Sequence, residues 1–203
     1  MLLGIKSKKD LLSRHALIGF LAAILVYLFW LSRPELSFEP RLWRALGDSA
    51  FTFLFITLAI GPLSKLWKPS LWLLPWRRET GIWFALLALS HFLRVNDYAA
   101  SVPEFQLPRL LGLIALFLTL LLAATSSDRA VNFLGISSWK WLHYSAYTIF
   151  YLTASHAAYF LFIRFPGSNW FRYSFLAMAL IVFILQLSAF VKIVVQQKTK
   201  SWY

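Results

Sequence analysis

The segment Trp139–Ile163, which reads WKWLHYSAYTIFYLTASHAAYFLFI, decides the fold of this chain. Most of its residues are apolar or aromatic, and a helix that crosses a bilayer uses about 20 such residues. The segment also carries His143 and His156, although an ionisable side chain inside a membrane is costly and marks a functional site by default. It therefore predicts a transmembrane helix with functional histidines.

Five further apolar segments extend this prediction to the whole chain. The 203 residues are 60% hydrophobic and 14% charged, whereas an ordinary soluble domain is about 45–50% apolar and about 25% charged. The sequence thus predicts an all-α membrane protein, one domain of residues 1–203 that folds as a six-transmembrane helical bundle. The predicted spans are about 16–31, 50–66, 81–95, 110–124, 139–163 and 171–195.

The net charge of +12 orients this bundle. Lysine and arginine favour the cytoplasmic side of short loops. With the N-terminus inside, the inside segments hold 13 basic residues and the outside segments hold 7, so both termini are predicted to be cytoplasmic. No small-residue cleavage site follows the first apolar run, which is predicted to be a retained anchor. We attribute the charge to topology and to contact with anionic membrane lipid, not to nucleic acid.

All four histidines lie in or at the ends of predicted spans. His91 and His156 lie well along the third and fifth spans, which run in the same direction, so we expect them at a similar depth in the outer half. His143 lies near the inner end of its span, and His15 opens the first. Thirteen residues separate His143 from His156, a rise of about 20 Å, so these two require sites at different depths.

Two facing imidazoles are the ligands of a haem iron with both axial positions filled, which suits electron transfer rather than oxygen binding. Helical bundles build such sites from side chains on facing helices. Zinc is disfavoured, because the chain has no cysteine and no acidic cluster accompanies the histidines. Three alternatives stay open: each histidine bonds a neighbouring polar group, the histidines titrate in a proton or solute transporter, or the bundle is a scaffold for a partner.

Short motifs surround these histidines. They are Ile60-Gly61-Pro62, then Arg77-Arg78-x-x-Gly81-Ile82-Trp83 ahead of His91, then Thr125-Ser126, Leu134-Gly135, Trp139, Leu142-His143, Tyr147 and His156. In this combination the chain resembles the ferric-reductase-like transmembrane domain family over about Trp43–Phe162. Within that family it is most similar to the haem-binding membrane subunits of periplasmic methionine sulfoxide reductase systems.

That resemblance implies haem b, either one or two, and flavin mononucleotide (FMN) as a further cofactor. It implies a bacterial inner-membrane subunit that relays electrons outward from the quinone pool or from a cytoplasmic flavin reductase. The implied acceptor is a periplasmic molybdopterin-type reductase that repairs oxidised methionines. The chain has no Gly-x-Gly-x-x-Gly nucleotide fingerprint, so we expect an electron-transfer subunit and not a self-sufficient enzyme.

Two departures from the family pattern bear on this expectation. Larger relatives carry two histidines on the third helix, whereas here Arg78 stands thirteen residues before His91. An inner haem with His143 on one side would have either His15 or no histidine on the other side. If His15 is not that ligand, we interpret it as a residue at the membrane interface. Arg77 and Arg78 either meet haem propionates or a flavin phosphate through bidentate contacts, or anchor the inner face. The second departure is the stretch 106–110, where the subfamily has a basic residue followed by Arg-Pro-Tyr, and it leaves the outer partner open.

Five smaller predictions concern single residues, one short segment and the overall pattern. Asp48 is interpreted as the N-cap of the second span. Gly112 indicates close contact between helices, and Gly135 indicates a turn. Leu71–Trp76 is interpreted as a short interfacial piece, and no internal repeat is evident in the apolar pattern.

Overall fold

The computed structural model describes residues 8–100, 107–164 and 170–200, and the regular structure in these ranges is helical with no strand. The described α-helices are α1 (Lys8–Leu31), α2 (Phe38–Leu66), α3 (Arg77–Ala100), α4 (Leu107–Ala124), α5 (Asp128–Leu134), α6 (Ile136–Ala158) and α7 (Phe171–Lys200). A 3₁₀ helix (Lys68–Trp76) precedes α3, and a π-helical segment (Tyr159–Arg164) extends α6. The all-α prediction is thus confirmed for this part of the chain.

Five of the described helical segments are long and apolar enough to cross a membrane. They are Asp10–Leu31, Phe38–Leu66, Leu107–Ala124, Ile136–Arg164 and Phe171–Gln197. These segments contain the first, second, fourth, fifth and sixth predicted spans and extend beyond them, most of all at the start of the second. The chain is therefore a multi-pass helical membrane protein.

The third predicted span corresponds to α3, which is not among these five segments. Its 24 residues give a helix of about 36 Å, long enough for a hydrocarbon core of about 30 Å. The helix is less apolar than the others because Arg77, Glu79 and His91 lie on it. A sixth crossing by α3 and the cytoplasmic position of both termini therefore stay predictions.

Polar and turn-forming residues set the ends of the helices. Ser37 is extended ahead of α2, Glu39 lies in the first turn of α2, and the extended Trp67 ends it. The hydroxyl of Ser127 accepts a hydrogen bond from the backbone N–H of Ala130 at 3.1 Å and caps α5. Gly135, at φ +76°, separates α5 from α6, which confirms the predicted turn.

The second helix is central to the bundle. α2 packs against α1, α3, α6 and α7, and the ring of Phe51 lies 4.7 Å from that of Phe175 on α7 and 6.2 Å from that of Phe150 on α6. The fourth helix packs against α3 and α6. Helices α2, α3, α4 and α6 are therefore neighbours, and two of them carry His91 and His156.

The prediction that Asp48 caps the second span is wrong. α2 begins ten residues earlier, at Phe38, so Asp48 lies inside the helix. Its carboxylate forms a buried ion pair with Arg33, which follows α1. A charged side chain inside an apolar bundle needs such a partner, and the pair joins the C-terminal end of α1 to α2.

Candidate functional site

His91 lies on α3 and is fixed by the backbone of α2. Its Nδ1 lies 2.7 Å from the carbonyl oxygen of Trp43. A carbonyl oxygen can only accept a hydrogen bond, so Nδ1 must carry the proton and donate it. The Nε2 atom of His91 is then left with a free lone pair, which is the form that binds a metal.

His156 on α6 is held in the same way by α4. Its Nδ1 lies 2.7 Å from the carbonyl oxygen of Pro108, so the same argument assigns the proton to Nδ1 and leaves Nε2 as the free nitrogen. The ring of Phe160, one turn later in the chain, lies 4.9 Å from the imidazole. Both histidines are partly buried, and their side chains lie close enough to interact electrostatically.

A glycine packs against each of these imidazoles. A Cβ atom at Gly47 of α2 would lie 3.1 Å from Cε1 and Nδ1 of His91. A Cβ atom at Gly112 of α4 would lie 2.6 Å from Nδ1 and 2.8 Å from Cε1 of His156. The predicted close helix contact at Gly112 is confirmed, and its partner is the imidazole of His156 on α6.

These two arrangements reveal an internal repeat, so the prediction of none is wrong. Each histidine lies 48 residues after the carbonyl that holds it, and the two copies are 65 residues apart in the chain. Identical residues at this offset include Glu39 and Glu104, Arg44 and Arg109, Leu46 and Leu111, Gly47 and Gly112, Ala50 and Ala115, Trp76 and Trp141, Leu87 and Leu152, Ser90 and Ser155, and His91 and His156. The apolar pattern hides this repeat, whereas the paired Arg-x-x-Gly and Ser-His motifs would have revealed it.

His143 lies on α6, near the end that is predicted to be cytoplasmic. Its Nε2 lies 3.4 Å from the hydroxyl oxygen of Thr125, and the indole of Trp139 stacks on the imidazole with ring centres 4.1 Å apart. The indole N–H of Trp139 donates to the carbonyl oxygen of Thr125 at 3.0 Å. His143 is thus held mainly by its neighbours in the α4–α6 region, at a longer and weaker contact than the two outer histidines.

The two arginines of α3 point to different neighbours. Arg77 interacts electrostatically with His143, and its guanidinium passes over Gly61 of α2 at ordinary contact distance. Arg78 donates to the carboxylate of Asp128 at 3.0 Å, on α5. In the repeat, Arg78 occupies the position that His143 occupies in the second copy, which explains why the first copy offers no inner histidine.

His15 lies near the start of α1. Its recorded contact is through the backbone, because its carbonyl oxygen accepts a hydrogen bond from the indole N–H of Trp83 at 3.1 Å. Among the described residues, no hydrogen bond or ring contact joins its imidazole to His143. In the described part of the chain, His91 and His156 are thus each bonded to the backbone of a facing helix, α2 and α4, and no direct contact joins His15 to His143.

The fold and this site define a class: a multi-pass helical membrane protein that holds two imidazoles on α3 and α6, helices that both pack against α2 and α4, with both imidazoles in the tautomer that leaves Nε2 free. No family model matches the chain. It is 33% identical over 154 residues to the protein-methionine-sulfoxide reductase heme-binding subunit MsrQ of Herminiimonas arsenicoxydans, which covers 68% of each chain. It is 32% identical over 160 residues to MsrQ of Azospira oryzae, covering 67% of each. The chain belongs to the MsrQ family of heme-binding subunits.

A second kind of relative shares a smaller region. The chain is 35% identical over 123 residues, 56% of its length, to the magnetosome protein MamZ of Paramagnetospirillum magneticum. The match spans about a fifth of that relative, 19% of its length. The similarity is thus confined to a part of both proteins.

Proposed function

We propose that this chain is the haem-binding, electron-transfer membrane subunit of a methionine sulfoxide reductase system in a bacterial inner membrane. The single observation that carries the proposal is the pair His91 and His156, each with Nδ1 bonded to a backbone carbonyl. Hydrogen bonding of the second ring nitrogen is the usual support of a metal-bound histidine. Membership of the MsrQ family supports the same assignment.

The residues of this chain fit a haem b at that pair. Axial ligation requires two imidazoles with free Nε2 atoms on different helices, and α3 and α6 supply them. Gly47 and Gly112 leave room beside the rings, and the aromatic ring of Phe160 lies against one of them. When bound, the haem supplies one-electron chemistry between ferric and ferrous iron, and two axial histidines leave no open position for oxygen.

The direction of transfer and the partners complete the proposal. Electrons come from the quinone pool or from a cytoplasmic flavin reductase, and the acceptor is a periplasmic molybdopterin-type reductase that repairs oxidised methionines. The family supports this direction, and the outer position predicted for His91 and His156 places the proposed haem near the acceptor. A transmembrane electron carrier with another outer acceptor is the remaining alternative within the same class.

We propose one haem at the outer pair as the basic complement of the chain. A second haem at His143 is less well supported, because Arg78 stands where the repeat would place an opposing histidine. Arg77, beside His143, is the cation that would meet a propionate or the phosphate of FMN in the inner half. Haem and flavin counts per chain distinguish these arrangements.

The test is the haem content of the purified protein in detergent, read from absorbance spectra of the oxidised and dithionite-reduced forms. We expect His91→Ala and His156→Ala each to remove the outer haem. The matched control is His15→Ala, which should retain it, and His143→Ala should retain it as well and lose haem only if a second haem is bound in the inner half. Unchanged haem content in both His91→Ala and His156→Ala would overturn the proposal. Reduction of the wild-type haem by a quinol analogue, but not by reduced flavin, would identify the quinone pool as the donor.

A further inference from the structure

Two glycines in the helices that face the histidines have a role beyond allowing close packing. We propose that Gly47 and Gly112 are positioning residues for the haem ligands, because each exposes the backbone carbonyl that fixes the tautomer and the rotation of one imidazole. The inference rests on the proposed haem at His91 and His156. It assigns a function to residues that do not touch the iron.

The argument begins with the geometry of an α-helix. The Cα–Cβ bonds of a helix tilt toward its N-terminus, so a side chain covers the turn that precedes its own Cα. The carbonyl of Trp43 lies one turn before Gly47, and the carbonyl of Pro108 lies one turn before Gly112. A side chain at either glycine would therefore cover the carbonyl oxygen that accepts the histidine proton.

The distances agree with this account in both copies of the repeat. At Gly47 a Cβ atom would lie 3.1 Å from Nδ1 of His91, and at Gly112 a Cβ atom would lie 2.6 Å from Nδ1 of His156. The atom that each Cβ would approach is thus the one that donates to the carbonyl at 2.7 Å. A methyl group there must displace the ring or break that hydrogen bond.

The consequence for the cofactor is chemical as well as steric. A hydrogen bond from Nδ1–H to a carbonyl raises the basicity of Nε2 and fixes the orientation of the ring. A more basic axial ligand favours ferric over ferrous iron. Loss of the hydrogen bond should therefore raise the midpoint potential of any haem that remains and alter the relative orientation of the two imidazole planes.

The experiment compares Gly47→Ala and Gly112→Ala with two control glycine variants. We expect haem affinity to fall about tenfold or more in each site variant, as is typical when the support of a metal ligand is lost. Haem that remains should show a higher midpoint potential and a changed low-spin electron paramagnetic resonance (EPR) spectrum. Gly112→Ala should have the larger effect, since its contact is closer.

The controls separate positioning from general packing. A Cβ at Gly81 meets Thr57 at an ordinary 3.5 Å, whereas a Cβ at Gly19 would clash with the ring of Trp83 rather than with His91 or His156. We expect Gly81→Ala to behave as wild type and Gly19→Ala to lower thermal stability while leaving potential and EPR spectrum unchanged. Wild-type affinity, potential and spectrum in both Gly47→Ala and Gly112→Ala would overturn this inference, and so would the same spectral change in Gly19→Ala. Retention of haem in His91→Ala and His156→Ala would instead refute the proposed function.

Discussion

At the scale of single residues, the site depends on two backbone carbonyl oxygens, and no side-chain motif indicates which residues provide them. His91 and His156 could be singled out from the sequence as candidates, because an ionisable residue in an apolar helix is rare and costly. Their hydrogen-bond acceptors could not, since every residue has a carbonyl and the fold decides which ones meet an imidazole. In the sequence, each of these carbonyls is followed one turn later by a glycine. The role of that glycine becomes evident only when the structure places α2 and α4 beside the histidines.

Asp48 is a residue for which the sequence pattern indicated a role that the structure does not show. A short acidic residue before an apolar run is typical of an N-cap, and the partner that gives it a different role, Arg33, lies in the preceding turn. Arg33 also donates to the carbonyl oxygen of Phe29 at 3.3 Å. The pair is therefore a connection between α1 and α2, formed by groups that the sequence separates.

This connection gives a prediction for stability. Asp48→Ala should lower the free energy of unfolding by about 3–5 kcal/mol, because it leaves the buried Arg33 cation without its carboxylate. The double variant Arg33→Met/Asp48→Leu should be more stable than Asp48→Ala, since it removes both buried charges and fills the space with apolar side chains. Thermal unfolding in detergent measures both. Equal stability of wild type and Asp48→Ala would contradict the prediction.

At the scale of helices, the sequence predicted the apolar parts of the helices well but did not predict the polar turns that extend them. The second span was predicted to begin at residue 50, but α2 begins at Phe38. The intervening turns carry Arg41, Arg44 and Asp48, which read as a loop by hydropathy. In the structure Arg41 donates to the carbonyl oxygens of Trp30 and Leu31 at the end of α1, where a cation stabilises the helix terminus.

Helix α3 is the element whose relation to the membrane matters most, because it carries His91. Its burial against α2 explains its lower hydrophobicity: Phe84, Ala85 and Leu87 are all buried, and a helix enclosed by neighbours exposes less surface to lipid. Three charged residues near its start and one histidine are therefore compatible with a membrane crossing. A direct test of its two ends is available because the chain has no cysteine.

We predict that single cysteines on the two sides of α3 will differ in accessibility. Trp72 and Leu107 are 66% and 61% exposed and lie before and after α3. In intact cells, a membrane-impermeant maleimide should label Leu107→Cys and should label Trp72→Cys only after permeabilisation. Labelling of both in intact cells, or of neither, would contradict a crossing by α3. The reverse pattern would retain the crossing and contradict the predicted orientation.

At the scale of the whole molecule, the two halves of the bundle are built differently. The histidines predicted to lie in the outer half are held by short hydrogen bonds to backbone carbonyls, and the repeat gives that site a nearly equal contribution from both copies. In the predicted inner half, His143 has no histidine counterpart in the first copy of the repeat, because Arg78 stands at that position. Cationic contacts also tie helices there, since Lys192 of α7 donates to the carbonyl oxygens of Lys65 and Leu66 at the end of α2.

This asymmetry could not be obtained from composition. The number of apolar residues predicts how many helices fit, and the basic residues predict their orientation. Neither predicts that two imidazoles are bonded through Nδ1 to backbone carbonyls whereas His143 lies beside the guanidinium of Arg77. That distinction arises because the packing of α2, α3, α4 and α6 determines which side chains and backbone atoms surround each histidine.

The central claim is that His91 and His156 together ligate one haem iron. The most direct measurement is the low-temperature EPR spectrum of the ferric protein, purified in detergent, for the wild type and for His91→Ala and His156→Ala. We predict a low-spin signal typical of two axial imidazoles in the wild type, and its loss in each of the two variants. A high-spin signal in the wild type, or a low-spin signal unchanged in either variant, would contradict the claim.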